Sequence, residues 1–151
     1  MVVLFDTNVI LDLLFKRKDF YQDSANAVIK CKENGDRLYV SASAITDIYY
    51  LLRKNTKRND IAYEGVKKVV QIFQVAEVNS ICISKALKSK ICDFEDAVVD
   101  SVASYIKADY IVTRNTKHFS DSRHPAIEPK KAPLFVRMSE EKLKNHYTAG
   151  K

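Results

Sequence analysis

The stretch Val2-Val3-Leu4-Phe5-Asp6-Thr7-Asn8 decides the fold. Four apolar residues, mostly β-branched or aromatic, predict a strand buried on both faces, and the run stops abruptly at Asp6. A carboxylate there lies just beyond the C-terminal end of the strand, the edge at which open parallel α/β sheets form ligand crevices. Val9, Ile10, Leu13 and Leu14 follow at helical spacing, which sets Thr7 and Asn8 at the strand-to-helix turn. Two readings of Asp6, Thr7 and Asn8 stand side by side: residues that cap the helix, or residues that line a crevice.

The pattern repeats along the chain. A charged break at 16–19 precedes a helix over 20–34, with Phe20, Ala25, Val28 and Ile29 as its apolar stripe, and Asn34-Gly35-Asp36 closes it. A strand over 38–41 leads into a helix carrying Ile45, Ile48, Tyr49 and Leu52, then a polar, basic turn over 53–60 and a helix over 61–74 with Val66, Val69, Val70 and Phe73 inward. A short strand over 75–78, a small helix over 84–89, a strongly periodic helix over 93–107 and a strand over 110–113 complete the alternation. Beyond Phe119, prolines at 125, 129 and 133 delimit extended segments, with an edge strand at 126–127 and a terminal helix over 139–147. Strands separated by helices in 151 residues without a linker predict one domain: a small, mainly parallel sheet between two helical layers.

Composition narrows the function classes. No apolar run is long enough to span a membrane, and the N-terminus opens on a strand and not on a signal sequence, which places the chain in the cytoplasm. Cys31, Cys82 and Cys92 lack C-x-x-C spacing, so a disulfide framework or zinc site is not expected and buried apolar roles are. Lys and Arg number 25 against 19 Asp and Glu, a formal charge of +6, which favours a polyanionic partner such as nucleic acid. A solvated lysine-rich surface accounts for the same excess.

The helix from Asp93 carries the second signal. At about 100° per residue, Asp93, Asp96 and Asp100 fall within roughly 60° of one another, an acidic stripe opposite Phe94, Val98 and Val102. Capping by Asp93 and dipole complementation by Glu95 and Asp96 explain part of it. The stripe also suits a divalent cation, because magnesium and manganese take hard oxygen ligands, commonly one or two carboxylates, with water and substrate phosphate filling the rest. Asp6 and Asp96, from separate elements at one sheet edge, are the candidate pair. Asp47, early in the helix after the second strand, is a third carboxylate acting directly or through water, or a plain first-turn acid.

Asp6-Thr7-Asn8, an acid soon after Ser43-Ala44-Ile45-Thr46, the segment Asp93-Phe94-Glu95-Asp96-Ala97, and Ile111-Val112-Thr113-Arg114-Asn115-x-Lys117-x-Phe119 together resemble a PIN domain over about residues 1–130, with 131–151 as an extension. The resemblance is closest to the VapC-like toxin ribonucleases of toxin–antitoxin pairs. It implies an α/β/α sandwich and Mg2+- or Mn2+-dependent endonucleolytic hydrolysis of RNA. It makes Asp6 the first acid and Asp96 the third, both metal ligands, and Asn8, Thr113 and Asp93 supporting residues; Asp47 and Asn115 complete the catalytic set. Three positions depart from the family pattern: Asp47 stands where glutamate is usual, Asn115 where aspartate is frequent, and His118 replaces an acid often found before the phenylalanine. Asp93, Asp100 or Asp121 could compensate. The resemblance also implies an antitoxin partner and a homodimer.

Arg53, Lys54, Lys57 and Arg58 form a candidate RNA-backbone track, or a solvated loop. Arg114 is a candidate phosphate contact, and Tyr49 and Tyr50 are candidates for base stacking. Other enzymes on similar sheets fit less well: a haloacid-dehalogenase-type phosphatase requires a second aspartate where Asn8 stands, and Thr113-Arg114-Asn115 fits a receiver domain poorly. A catalytically inactive PIN-like module that binds nucleic acid or protein is the competing reading.

Overall fold

Every side chain of the first strand, β1 (Val2–Phe5), is buried, which demands cover on both faces of its sheet. The computed structural model describes residues 1–134 and contains that sheet. Strands β2 (Arg37–Ser41), β3 (Gln74–Ala76), β4 (Tyr110–Val112) and β5 (Ala126–Ile127) join β1 in the order β3-β2-β1-β4-β5, all parallel. Val3 of β1 lies opposite Leu38 on one side and Tyr110 on the other. The chain enters at the centre, steps outward through β2 and β3, then returns to the opposite flank for β4 and β5. The reversal falls between β1 and β4, the switch point at which such sheets open a crevice beyond their carboxyl ends.

Alternation along β1 builds two cores. Val3 and Phe5 pack with Val40, Tyr110 and Val112 beneath helices α1 (Thr7–Leu14), α2 (Tyr21–Glu33), α3 (Ala42–Thr56) and α4 (Asn59–Ile72). Val2 and Leu4 pack with Ile111 beneath α5 (Ser80–Ala86) and α6 (Phe94–Tyr105). At roughly 1.5–3 kcal/mol for each large apolar side chain buried, this one strand ties both helical layers to the sheet. The α/β/α architecture is the one the sequence predicts.

Local chemistry moves several boundaries. Ser41 caps α3 through a 3.2 Å bond from the Ala44 amide, so the helix begins before Ser43 and runs to Thr56. Arg53 and Lys54 therefore occupy its last turn, and only Lys57, left-handed at φ 59°, and Arg58 form the break before α4. The expected basic turn over 53–60 is largely helix. Asn79 caps α5 through a 3.0 Å bond from the Cys82 amide, which starts that helix four residues ahead of the expected Ser84. Strand β3 begins at Gln74 and not Val75. Val70 and Ile29 are exposed, their helices turning Val69 and Phe73, or Ala27, Val28 and Cys31, inward instead. Cys31 and Cys82 are buried as expected, but Cys92 is exposed. The helix expected over 139–147 lies outside the described residues.

Gly65 sits where α4 crosses α3, and a Cβ there would overlap Leu52 Cδ1. Leu52 is itself 4 % exposed, with little room to withdraw. Gly65→Ala is expected to destabilise the fold by about 1–3 kcal/mol, the cost of overpacking a filled contact; urea unfolding measures it, and an unchanged midpoint would show that Leu52 yields freely.

Candidate active site

Asp6 ends β1 and supplies the backbone N-cap of α1, yet its side chain makes no capping bond. It turns across the switch point instead. Thr113, just past β4 and fully buried, donates its hydroxyl to Asp6 Oδ2 at 2.7 Å. Asn8 donates Nδ2 to the same oxygen at 2.5 Å and to Thr113 Oγ1 at 3.1 Å. Asn8 Oδ1 accepts the Arg114 amide at 3.2 Å, and Thr113 Oγ1 accepts the Asn115 amide at 3.0 Å. The capping reading thus gives way to a network that locks the first strand end to the fourth. Asp6 is 6 % exposed, and burial pushes its carboxyl up to about 6; the Thr113 bond and the nearby Thr7 and Asn8 amides pull the other way, while the charge of Asp96 pushes it further.

The second set comes from α6. Asp93 is the N-cap and accepts the Asp96 amide at 3.1 Å, so it caps and still faces the cleft. Asp96 is buried, and its carboxyl is raised by desolvation, an effect opposed by a 2.7 Å bond between Oδ2 and His118 Nδ1. Across the cleft, Asp47 lies beyond the first turn of α3, which the Ser41 cap starts earlier than expected, so helix-dipole complementation does not account for it. Desolvation raises its carboxyl too. Glu95, which the sequence assigns only to the helix dipole, joins the same field: its carboxyl is raised by desolvation, then by the charges of Asp47, Asp93 and Asp96. No spacing rule marks it, because it lies off the 93–96–100 stripe.

Asp6, Asn8, Asp47, Asp93, Glu95, Asp96, Asn115 and His118 line one cleft of about 720 Å³, walled by Tyr50 and Phe94 among others. Of the candidates offered to compensate for the departures, Asp93 is in the cleft. Asp100 instead accepts a hydrogen bond from the Ser122 hydroxyl, and neither it nor Asp121 lines the cleft. Tyr50 is exposed at the cleft wall, whereas Tyr49 packs against the core and stacks edge-on with Tyr63. Lys54 lies 5.9 Å from the Tyr50 ring centre. Arg53 and Lys57 are exposed beside it, while Arg58 is paired with Asp60.

Arg114 is not on the cleft. Its Nε lies 3.0 Å from Asp12 Oδ2, an ion pair without hydrogen-bond alignment, and its guanidinium covers the Phe20 ring at 4.2 Å. Asp12, fully buried on α1, also holds Arg17 at 3.2 Å and the Ser24 hydroxyl at 3.3 Å. The structure does not bring the Arg114 side chain, the expected phosphate contact, to the cleft: its backbone amide reaches the site, and its side chain packs on Asp12 and Phe20.

Among the described residues no three His, Cys, Asp or Glu side chains close on one point. The donors that do converge are oxygens: Asp6 and Asp96, close enough for one charge to raise the other's pKa, with Asp47, Asp93 and Glu95 around them. Two carboxylates with open positions for water and phosphate fit a hard divalent cation, and a surplus of buried negative charge calls for one.

Comparison with known proteins agrees with the fold. Residues 2–117 match the PIN domain family. The ribonuclease VapC1 of Aquifex aeolicus is 27% identical over 106 residues, covering 70% of this chain and 72% of the relative. VapBC2 from Rickettsia felis, solved with a DNA fragment from its promoter, matches with a TM-score of 0.70 at 15% identity, over 85% of this chain and 98% of the other. VapBC-1 from nontypeable Haemophilus influenzae matches with a TM-score of 0.67 at 15% identity, over 87% and 100%. With the family match spanning the sheet through β4 and every acid of the cleft, the chain belongs to the PIN-domain family.

Proposed function

We propose that the chain is an Mg2+- or Mn2+-dependent endoribonuclease acting as the toxin of a toxin–antitoxin pair. The observation that carries this reading is the meeting of Asp6 and Asp96 at the switch point, with Asp6 buried, ionisable and locked by Thr113 and Asn8. Kinship to a VapC ribonuclease supports RNA as the substrate. Structural neighbours solved as VapBC assemblies support an antitoxin partner, and a homodimer accords with the family resemblance. Among the described residues no helix is long and apolar enough to cross a membrane.

Asp6 and Asp96 would hold the cation. When bound there, it supplies positive charge to polarise a bridging phosphate and to acidify a water for in-line attack. Thr113 and Asn8 spend their donors on Asp6 Oδ2, which fixes the carboxylate plane and leaves Oδ1 for the ligand. Asp47, with its carboxyl raised by desolvation, is a better proton acceptor than a fully solvated aspartate, and we assign it the attacking water. Asn115, exposed at the rim and tethered through its amide to Thr113, offers its side-chain amide to substrate oxygens.

The test is cleavage of a mixed single-stranded and structured RNA pool by the purified protein with magnesium, with manganese, and with chelator. Cleavage that the chelator abolishes is expected. A folded protein that neither cuts RNA nor binds metal would instead be the inactive binding module. Lys54 and Lys57 are exposed, and among the described residues neither has the acid pairing that neutralises Arg58. Reversing both to glutamate is expected to weaken RNA binding and to lower the slope of log affinity against log salt by about 2, near one for each phosphate no longer neutralised; an unaltered slope returns them to ordinary surface.

A further inference from the structure

His118 has no part in the reading above, yet it touches the site. It sits in a short 3-10 turn, Thr116–Phe119, that follows Asn115 directly. The turn is anchored at both ends: Phe119 is buried in the core shared with α6, and the His118 amide donates to the Asn115 carbonyl at 2.9 Å. From that footing Nδ1 reaches Asp96 Oδ2 at 2.7 Å. A carboxylate can only accept, so Nδ1 is the donor and the other ring nitrogen, on a side chain 53% exposed, is left facing outward. With the imidazole half-exposed, this contact adds little to the stability of the fold. Its geometric effect is larger. Asp96 is held from two sides, by its helix register behind the Asp93 cap and by the imidazole in front.

We propose that His118 is a positioning residue for the cation site: by donating Nδ1–H to Asp96 Oδ2 it fixes the carboxylate and leaves Oδ1 for the ion. The proposal rests on Asp96 being a cation ligand. A donor in this position does for Asp96 what Thr113 and Asn8 do for Asp6, so each ligand has one oxygen tied to the protein and one left for the ion. Partners of this kind typically govern metal affinity by about 10–100-fold.

The experiment is calorimetric titration of Mn2+ into the full chain without RNA, comparing the parent with His118→Ala, His118→Asn, His118→Gln and Asp96→Asn, each checked for native-like cooperative unfolding. Asparagine places an amide N–H where the imidazole carries Nδ1; glutamine places it where the distal nitrogen lies. The expected result is affinity about 10–100-fold weaker in the alanine and glutamine variants, recovery to within a few fold in the asparagine variant, and no binding in Asp96→Asn. Alanine binding as tightly as the parent, or more tightly, overturns the proposal, as does asparagine failing equally with alanine. A parent that binds no manganese, or an Asp96→Asn protein that binds normally, overturns the metal assignment itself and the proposal with it.

Discussion

Asp6→Asn should abolish RNA cleavage while making the cation-free protein more stable. The loss of activity is expected at roughly a thousand-fold or more, since on the proposed function the change removes a ligand of the cation, and electrostatic stabilisation by such an ion is worth several kcal/mol. The gain follows from burial. In the folded chain the Asp6 carboxyl is raised from 3.8 to about 6, so the ionised form carries a penalty of about 3 kcal/mol. A raised acid pKa contributes its stability in full below 3.8 and loses it as pH rises through about 6. Above pH 6, asparagine is therefore expected to recover up to about 3 kcal/mol, and the advantage should fade as the pH falls towards 4. Urea unfolding of both proteins in chelator at pH 7.5 and pH 4 measures this. A variant no more stable than the parent at pH 7.5 would mean that Asp6 is comfortable when charged. Added manganese should stabilise the parent, by about 2.7 kcal/mol at a hundred times its dissociation constant, and leave the variant unmoved.

That trade between stability and chemistry was legible in the sequence only in outline. The apolar run ending at Asp6 and the aspartates three residues apart on α6 follow from periodicities of two and 3.6, and both landed at the sheet edge as expected. What periodicity does not carry is the partner of each polar group. Asp100 obeys the same helical stripe as Asp96, yet Ser122 takes it, because the loop after Phe119 returns over that part of α6. Glu95 enters the cleft field from a helix position that the stripe excludes. His118 reads as the loss of an acid, and only the 3-10 turn reveals it as a donor to Asp96. Arg114 reads as a phosphate contact because it neighbours Thr113 and Asn115. Placing it correctly requires foreseeing a buried carboxylate one helical turn after Asn8, and Asp12 sits among apolar residues where no charge is expected.

Asp12→Ala is expected to be the most destabilising single change in this region, at about 3 kcal/mol. Asp12 is fully buried between Arg17 and Arg114, and truncating one member of a buried ion pair leaves its partner uncompensated, typically at about 3–5 kcal/mol. The lower end applies because Arg17 can turn to water. Arg114 cannot do so easily, since its Nε is buried and its plane lies on Phe20. Removing both charges together, as Asp12→Leu with Arg114→Met, should recover most of the loss. Chemical denaturation of the single and double variants checks this, and losses that simply add would show that the two residues do not act as a pair. Cleavage should fall in the single variant as well, because the Arg114 backbone ties Asn8 to the end of β4.

The bond between Thr113 and Asp6 joins residues 107 positions apart. During synthesis Asp6 emerges early, but its partner follows 107 positions later, and β1 cannot fill the middle of its sheet until β4 arrives to flank it. Until then a growing chain carries Asp6 without the Thr113 hydroxyl that fixes it. The cleft is a product of the assembled sheet and not of any one stretch of chain, so the proposed cutting activity cannot precede the docking of β4.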